Sequence, residues 1–148
     1  HDAARALGRG RLVSAPSFDV LDVGDEMPPV EIDLGRDLVS GHARVLGMPF
    51  PRFTDEEGAK REGLPGQIAP GNMSLAVLSR ELLGWARGAK LVRLGTTFRG
   101  VVLAGSTALV QATVTGKDED ARLVECDLWM ESGEGDRLVI GTATLAWP

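Results

Sequence analysis

The hydrophobic pattern changes its period at Gly88, and this change limits the folds that the chain can adopt. Before it, apolar side chains cover most of the circumference of a helical stretch from Asn72 to Ala86, which predicts a helix buried on nearly all sides. After it, apolar and polar residues alternate, as in Val124–Glu131, which predicts antiparallel strands with one solvated face. One buried helix followed by long strands indicates an α+β domain.

Shorter elements are predicted on both sides of the central helix. Val30–Leu34 alternates strictly, which predicts a short strand after a turn at Pro28-Pro29. Arg36–Leu46 has apolar residues at helical spacing and predicts a short helix that ends at Gly47. Further strands are predicted at Leu91–Phe98, at Val110–Thr115 and at the C-terminal end, with turns at 116–120 and 132–136.

Length, charge and cysteine content limit the possible functions. A chain of 148 residues suits one domain, placed at 18–148, and the segment 1–17 is expected to be a flexible tail because its first part is basic and rich in Ala and Gly. A formal net charge of -5, with both signs mixed along the chain, argues against nucleic acid or a membrane surface as partner. The single Cys126 is expected to be a buried structural thiol in a cytoplasmic protein.

Two segments near the middle of the chain carry its most specific motif. The first is GMPFPRFTDEEGA, from Gly47 to Ala59, and the second is GQIAPG, from Gly66 to Gly71. Together they resemble the signature of the MaoC-like hydratases and dehydratases, in which Gly-Asp-x-Asn-Pro-x-His-x-Asp is followed by Gly-x-Ile-x-x-Gly at the start of a long buried helix. The resemblance extends from about Val23 to Leu145. It implies the hot-dog fold, a curled antiparallel sheet around a long central helix.

The resemblance places apolar side chains at the family's catalytic positions. The catalytic Asp falls on Met48, the catalytic His on Phe53, and a neighbouring Asn on Phe50. In the family, the Asp and His form a general acid/base pair that adds water to a trans-2-enoyl thioester or removes it from a (3R)-hydroxyacyl thioester. A thioether or a phenyl ring cannot exchange protons near neutral pH. No catalytic residue is therefore identified, and the three apolar residues are expected to pack in a core or interface or to line an acyl pocket.

The start of the central helix keeps more of the family pattern. The resemblance implies that the backbone N–H of Gly71 meets the thioester carbonyl, since a helix N-terminus offers unpaired donors and the positive end of a dipole. A glycine that only helix packing requires is the alternative. Asn72 is predicted to be the N-cap of this helix or a ligand contact.

The polar residues near the first motif segment are expected to have structural roles. Thr54 and Glu57 match a capping box for a short helix through Arg61, and Asp55 is interpreted as a charge that favours the helix N-terminus. His42 stands where the family commonly carries an aromatic residue, and we interpret it as a packed or partly exposed structural histidine.

Three hypotheses about function follow from the resemblance. The first is the dyad-less, pocket-forming subunit of a heterodimeric dehydratase or hydratase, inactive alone, whose hot-dog partner supplies Asp and His. The second is an enzyme of changed chemistry, such as a thioesterase or an atypical dehydratase, and the third is a non-catalytic homodimer that binds acyl-CoA. In each case the ligand is an acyl thioester of coenzyme A or acyl carrier protein, typical of fatty acid or polyketide metabolism. No metal or cofactor is expected, because the sequence has no His-rich cluster or phosphate-binding loop.

Overall fold

The computed structural model describes residues 15–148, so residues 1–14 of the predicted tail lie outside the described part of the chain. The order of elements is β1 (Glu26–Leu34), α1 (Arg36–Val45), α2 (Pro51–Thr54), α3 (Glu56–Arg61), α4 (Gly71–Trp85), β2 (Lys90–Phe98), β3 (Ser106–Asp118), β4 (Leu123–Ser132) and β5 (Arg137–Ala146). Among the described helices, none combines the length and the apolar character that crossing a bilayer requires.

The five strands form one antiparallel sheet in the order β1-β3-β4-β5-β2. The sheet curls around α4, which packs against β1, β2, β3 and β4. Successive strands β3, β4 and β5 are neighbours because short turns join them, whereas β2 reaches the far edge beside β5. The predicted α+β architecture of a curled sheet around a central helix is therefore confirmed.

The core lies between α4 and the inner face of the sheet. Leu78 and Leu82 of α4 are fully buried, and β3 and β4 alternate buried and exposed residues along their length. Cys126 of β4 is also buried, which confirms the prediction of a buried thiol. Burial, followed by the charges of Glu125 and Asp127, raises the pKa of Cys126 to about 12. The thiol is therefore protonated and unreactive at neutral pH.

The predicted turn at Pro28-Pro29 is wrong, because both prolines lie within β1. This strand forms one edge of the sheet, and β3 is its only partner among the described strands. Its register shifts between Met27 and Val30, at the position of the two prolines. Proline lacks a backbone donor, and an edge strand with a bulge tolerates that loss where a central strand would not.

The central helix is not buried on nearly all sides, contrary to the prediction. The sheet covers the face that carries Met73, Val77 and Leu78, and the opposite side carries a stripe that nothing in the described chain fully covers. This uncovered stripe consists of exposed Asn72, Ala76 and Arg80 and half-buried Leu75, Ser79 and Leu83. The sequence pattern did not separate the two faces, because the stripe contains apolar residues as well.

The predicted capping box is also wrong. Asp55 is the N-cap of α3, and its carboxylate accepts a hydrogen bond from the Gly58 N–H at 2.9 Å. Thr54 instead ends the preceding one-turn helix, and its hydroxyl donates to the Phe50 carbonyl at 3.0 Å. Pro51 starts that separate turn. The N-cap of α3 is therefore Asp55, one residue later in the chain than the predicted Thr54.

Candidate functional site

The loop that carries Met48 begins with a fixed turn at the end of α1. Gly47 has φ of 68°, a left-handed conformation that glycine adopts without strain. Its N–H donates to the Arg44 carbonyl at 3.1 Å, and the Met48 N–H donates to the Ala43 carbonyl at 2.8 Å. This pair of bonds is the Schellman motif, so the backbone at Met48 is held independently of the methionine side chain.

Gln67 holds the other end of this loop. Its side chain is buried, and Nε2 lies 2.7 Å from the Phe53 carbonyl, 2.9 Å from the Ser40 hydroxyl and 3.2 Å from the Arg36 carbonyl. The Ile68 N–H also donates to the Arg52 carbonyl at 2.9 Å. These bonds fix the loop against α1 and the segment before α4. No role for Gln67 follows from the sequence, where its position inside the second motif segment is the only signal.

The three apolar side chains of the loop are not core residues. Phe50 is 53% exposed, whereas Met48 and Phe53 are half-buried. The rings of Phe50 and Phe53 contact each other with centroids 6.3 Å apart. The alternative of simple core packing is therefore wrong for Phe50. A role for Met48, Phe50 and Phe53 in an interface or pocket stays a prediction.

The central helix begins at Gly71, with Pro70 as its N-cap, so the prediction of Asn72 as N-cap is wrong. A Cβ atom added to Gly71 would lie 2.9 Å from the ring of Phe98 on β2. Close approach of this ring is thus one reason for a glycine at position 71, as the packing alternative requires. The contact of its N–H with a thioester carbonyl stays a prediction.

The side chain of Asn72 joins two residues from other elements instead of capping its own helix. Its Nδ2 lies 3.5 Å from the sulfur of Met48, and its Oδ1 lies 3.4 Å from Nε2 of His42. The structure therefore brings together Met48, Asn72 and His42 beside the start of α4. His42 is half-buried at this site, as expected for a partly exposed histidine, and its contact with Asn72 does not follow from the sequence.

A groove of about 840 Å³ lies between β1, α1 and α4, and we call it the α1–α4 groove. Its volume is within the range of about 300–1,000 Å³ typical of small-molecule sites. Apolar lining residues include Val30, Ile32, Leu38, Val45, Met73 and Val77, and charged ones are Glu31, Asp33, Asp37, Arg80 and Glu81. His42 also lines the groove, whereas Met48, Phe50, Phe53, Gly71 and Asn72 do not.

Within residues 15–148, no three His, Cys, Asp or Glu side chains converge on a point that would hold a metal ion. The carboxylate of Glu56 on α3 joins the two motif segments, because it accepts a hydrogen bond from the Gln67 N–H at 2.8 Å. Its role there is to fix the backbone.

No family model matches the sequence, and no curated protein matches it. Solved structures similar to this chain include MaoC-like dehydratases and (R)-hydratases. The (R)-hydratase from A. caviae involved in PHA biosynthesis is 23% identical with a TM-score of 0.79, and the match covers 87% of this chain and 98% of that one. This chain has the hot-dog fold.

Two further similar structures come from complexes of Mycobacterium tuberculosis. The match to the ChsH1-ChsH2 complex has 16% identity and a TM-score of 0.79 and covers 87% of this chain and 100% of that chain. The match to the C-terminally truncated HadBC (3R-hydroxyacyl-ACP dehydratase) complex has 20% identity and a TM-score of 0.69, covering 85% and 98%. The resemblance inferred from the two motif segments is thus confirmed at the level of the fold. The replacement of the catalytic pair stays a prediction.

Proposed function

We propose that this chain is the pocket-forming subunit of a two-chain MaoC-like dehydratase or hydratase that acts on acyl thioesters. A second hot-dog chain supplies the catalytic Asp and His. The observation that carries the proposal is the presence of Met48 and Phe53, which cannot transfer protons, on a loop whose backbone is fixed at both ends. The loop is kept while its acid/base chemistry is absent, as expected for a subunit that shapes a site and leaves proton transfer to its partner.

Two exposed surfaces support a partner chain. The uncovered stripe of α4 includes half-buried Leu75 and Leu83, and the β2 edge of the sheet carries Val92, 61% exposed, and Phe98, 51% exposed. An unpaired edge strand and clustered exposed apolar residues are typical of an interaction surface. The ChsH1-ChsH2 and HadBC structures are complexes of two chains, and the second is a 3R-hydroxyacyl-ACP dehydratase. The two surfaces support association with a second hot-dog chain, and the two similar complexes favour a different chain over a second copy.

The α1–α4 groove supports an acyl thioester as the ligand. Its apolar lining, which includes Met73 and Val77, suits an acyl chain, and its volume exceeds what a short chain needs. Gly71 and Asn72 do not line the groove, but the Asn72 side chain contacts the lining residue His42. The first N–H groups of α4 therefore lie beside the groove, where they would offer donors to a thioester carbonyl. The carrier is coenzyme A or acyl carrier protein.

The decisive experiment is hydration of a trans-2-enoyl thioester by this chain alone, by a dyad-bearing hot-dog homologue alone, and by the mixture. Both carriers are tried, and the mass of each assembly is measured by light scattering. We expect activity only in the mixture, at the mass of a heterodimer or a multiple of it. Val92→Asp should abolish both the complex and the activity, because it puts a charge on the β2 edge. Val23→Asp is the matched control, since Val23 is 62% exposed but lies before β1.

Other results would replace this proposal with a different function. Hydration or thioester hydrolysis by the lone chain would indicate an enzyme of changed chemistry on the same fold. Binding of acyl-CoA at a homodimer mass, with no activity in any mixture, would indicate a non-catalytic acyl-CoA-binding protein.

A further inference from the structure

We propose that His42 recognises a hydroxyl group on the acyl ligand, so that the α1–α4 groove selects hydroxyacyl over unsubstituted acyl thioesters. This inference rests on the proposed function in one respect, namely that the groove holds the acyl part of the ligand. It adds a specificity-determining residue from α1, an element outside the two motif segments.

The first step is the orientation of the Asn72 side-chain amide. The sulfur of Met48 lies 3.5 Å from one end of this amide, and a thioether carries no hydrogen, so it can only accept. The end that faces Met48 is therefore the NH₂ group. The carbonyl oxygen then faces His42, at 3.4 Å from Nε2.

The second step is the tautomer of His42. An amide oxygen only accepts hydrogen bonds, so Nε2 of His42 must carry the hydrogen that lies between them. In a neutral imidazole only one nitrogen carries a hydrogen, which leaves the lone pair on Nδ1. The Met48–Asn72–His42 chain thus produces a hydrogen-bond acceptor.

The third step is the surroundings of this acceptor. The ring of His42 is half-buried and lines the α1–α4 groove. No group in residues 15–148 donates a hydrogen bond to Nδ1. The cation of the groove, Arg80, is paired with Glu81 at 3.0 Å. Nδ1 is open to solvent, because every buried side-chain nitrogen or oxygen of the described residues has a partner. A ligand hydroxyl group in the groove would therefore replace solvent as the donor to Nδ1.

The test compares the binding of two ligands that differ by one hydroxyl group. Dissociation constants are measured by calorimetry for (3R)-hydroxyoctanoyl-CoA and octanoyl-CoA, with the chain alone and with the chain in complex with a partner whose catalytic Asp is substituted by Asn, so that the ligand is not converted. For the wild type we expect a preference of about five- to tenfold for the hydroxyacyl ligand, the effect of one hydrogen bond. The nitrogen NMR signal of Nδ1 should move only with the hydroxyacyl ligand, a response that a purely structural histidine would not give.

Two substitutions of His42 test the roles of its two ring nitrogens separately. His42→Gln places an amide NH₂ near the position of Nε2, so it keeps the contact with Asn72 but loses the Nδ1 acceptor. His42→Asn places an amide oxygen near the position of Nδ1 and loses the contact with Asn72. We expect the hydroxyl preference to fall to about one in the Gln variant and to persist in part in the Asn variant. Arg44→Gln, on α1 but outside the groove lining, is the control and should keep the full preference.

The outcomes distinguish this inference from the proposed function. A folded His42→Gln variant that keeps the preference, or a wild type that binds both ligands equally, would overturn the role of His42 and leave the pocket-forming role standing. Failure of the wild type to bind either ligand would overturn both.

Discussion

The loop that carries Met48, Phe50 and Phe53 has two sides, which differ in polarity and in burial. Its backbone side is polar and buried, because Phe53 is bonded to Gln67 and Met48 to the end of α1. Its side-chain side is apolar and partly exposed, with Phe50 53% accessible to solvent. The hydrogen bonds that fix the backbone at Met48 and Phe53 therefore do not involve the side chains of these two residues. Under the proposed function, the geometry of the site is kept while its acid/base chemistry is supplied by the partner chain.

The buried side depends on complete pairing of its polar atoms. In the described residues, every buried side-chain nitrogen or oxygen has a hydrogen-bond partner. Such a network is stable only as a unit, because a buried acceptor that loses its donor costs about 1–3 kcal/mol. The exposed side has no such constraint, since water can replace any contact that a substitution removes. The two sides should therefore respond very differently to mutation.

The largest effect is expected for Gln67→Leu. The substitution leaves the Phe53 and Arg36 carbonyls and the Ser40 hydroxyl without their shared donor, so the free energy of unfolding should fall by about 3 kcal/mol. Chemical denaturation measures this change. Gln111→Leu is the matched control, since Glu131 is the one side-chain partner of this half-buried glutamine on β3 within residues 15–148. A loss below about 1 kcal/mol for Gln67→Leu would show that the loop is held by other contacts.

The sequence predicts structure that depends on neighbouring residues better than it predicts contacts between residues that are far apart along the chain. The central helix and the strands β2 to β5 follow from local periodicity, since one buried face dictates the pattern. The network of Gln67 cannot be inferred this way, because its partners lie 14, 27 and 31 residues away. The contact between His42 and Asn72 likewise spans 30 residues. The turn predicted at Pro28 and Pro29 is wrong because only the sheet order shows that their strand is an edge.

Asp55→Ala, at the end of the loop where α3 begins, should lower the stability of the protein less than Gln67→Leu. The substitution removes the acceptor for the Gly58 N–H and a negative charge at the start of α3, which should lower the free energy of unfolding by about 1 kcal/mol. Thermal and chemical denaturation would both detect it. Thr54→Ala is the control, because Thr54 donates only to the Phe50 carbonyl and is not a cap. If Thr54→Ala had the larger effect, the capping box predicted from the sequence would be correct after all.

The smallest effect on stability is expected for the substitutions that restore the family's polar side chains on the exposed side. The triple variant Met48→Asp, Phe50→Asn and Phe53→His should change the free energy of unfolding by less than about 1 kcal/mol, because none of the three residues is in the core. If the backbone geometry is retained, the variant should also gain measurable hydration of a trans-2-enoyl thioester, assayed in the same buffer as the wild type.

The control for this gain is the same triple variant with Met48→Asn in place of Met48→Asp. It has nearly the same shape and polarity but no carboxylate to exchange a proton, so it should fold equally well and show no hydration. A loss of more than about 2 kcal/mol in either variant would show that the apolar side chains do support the loop. A stable carboxylate variant without activity would instead mean that the loop has the family's motif spacing but not its catalytic geometry, because the acid and base must lie within hydrogen-bond reach of one water.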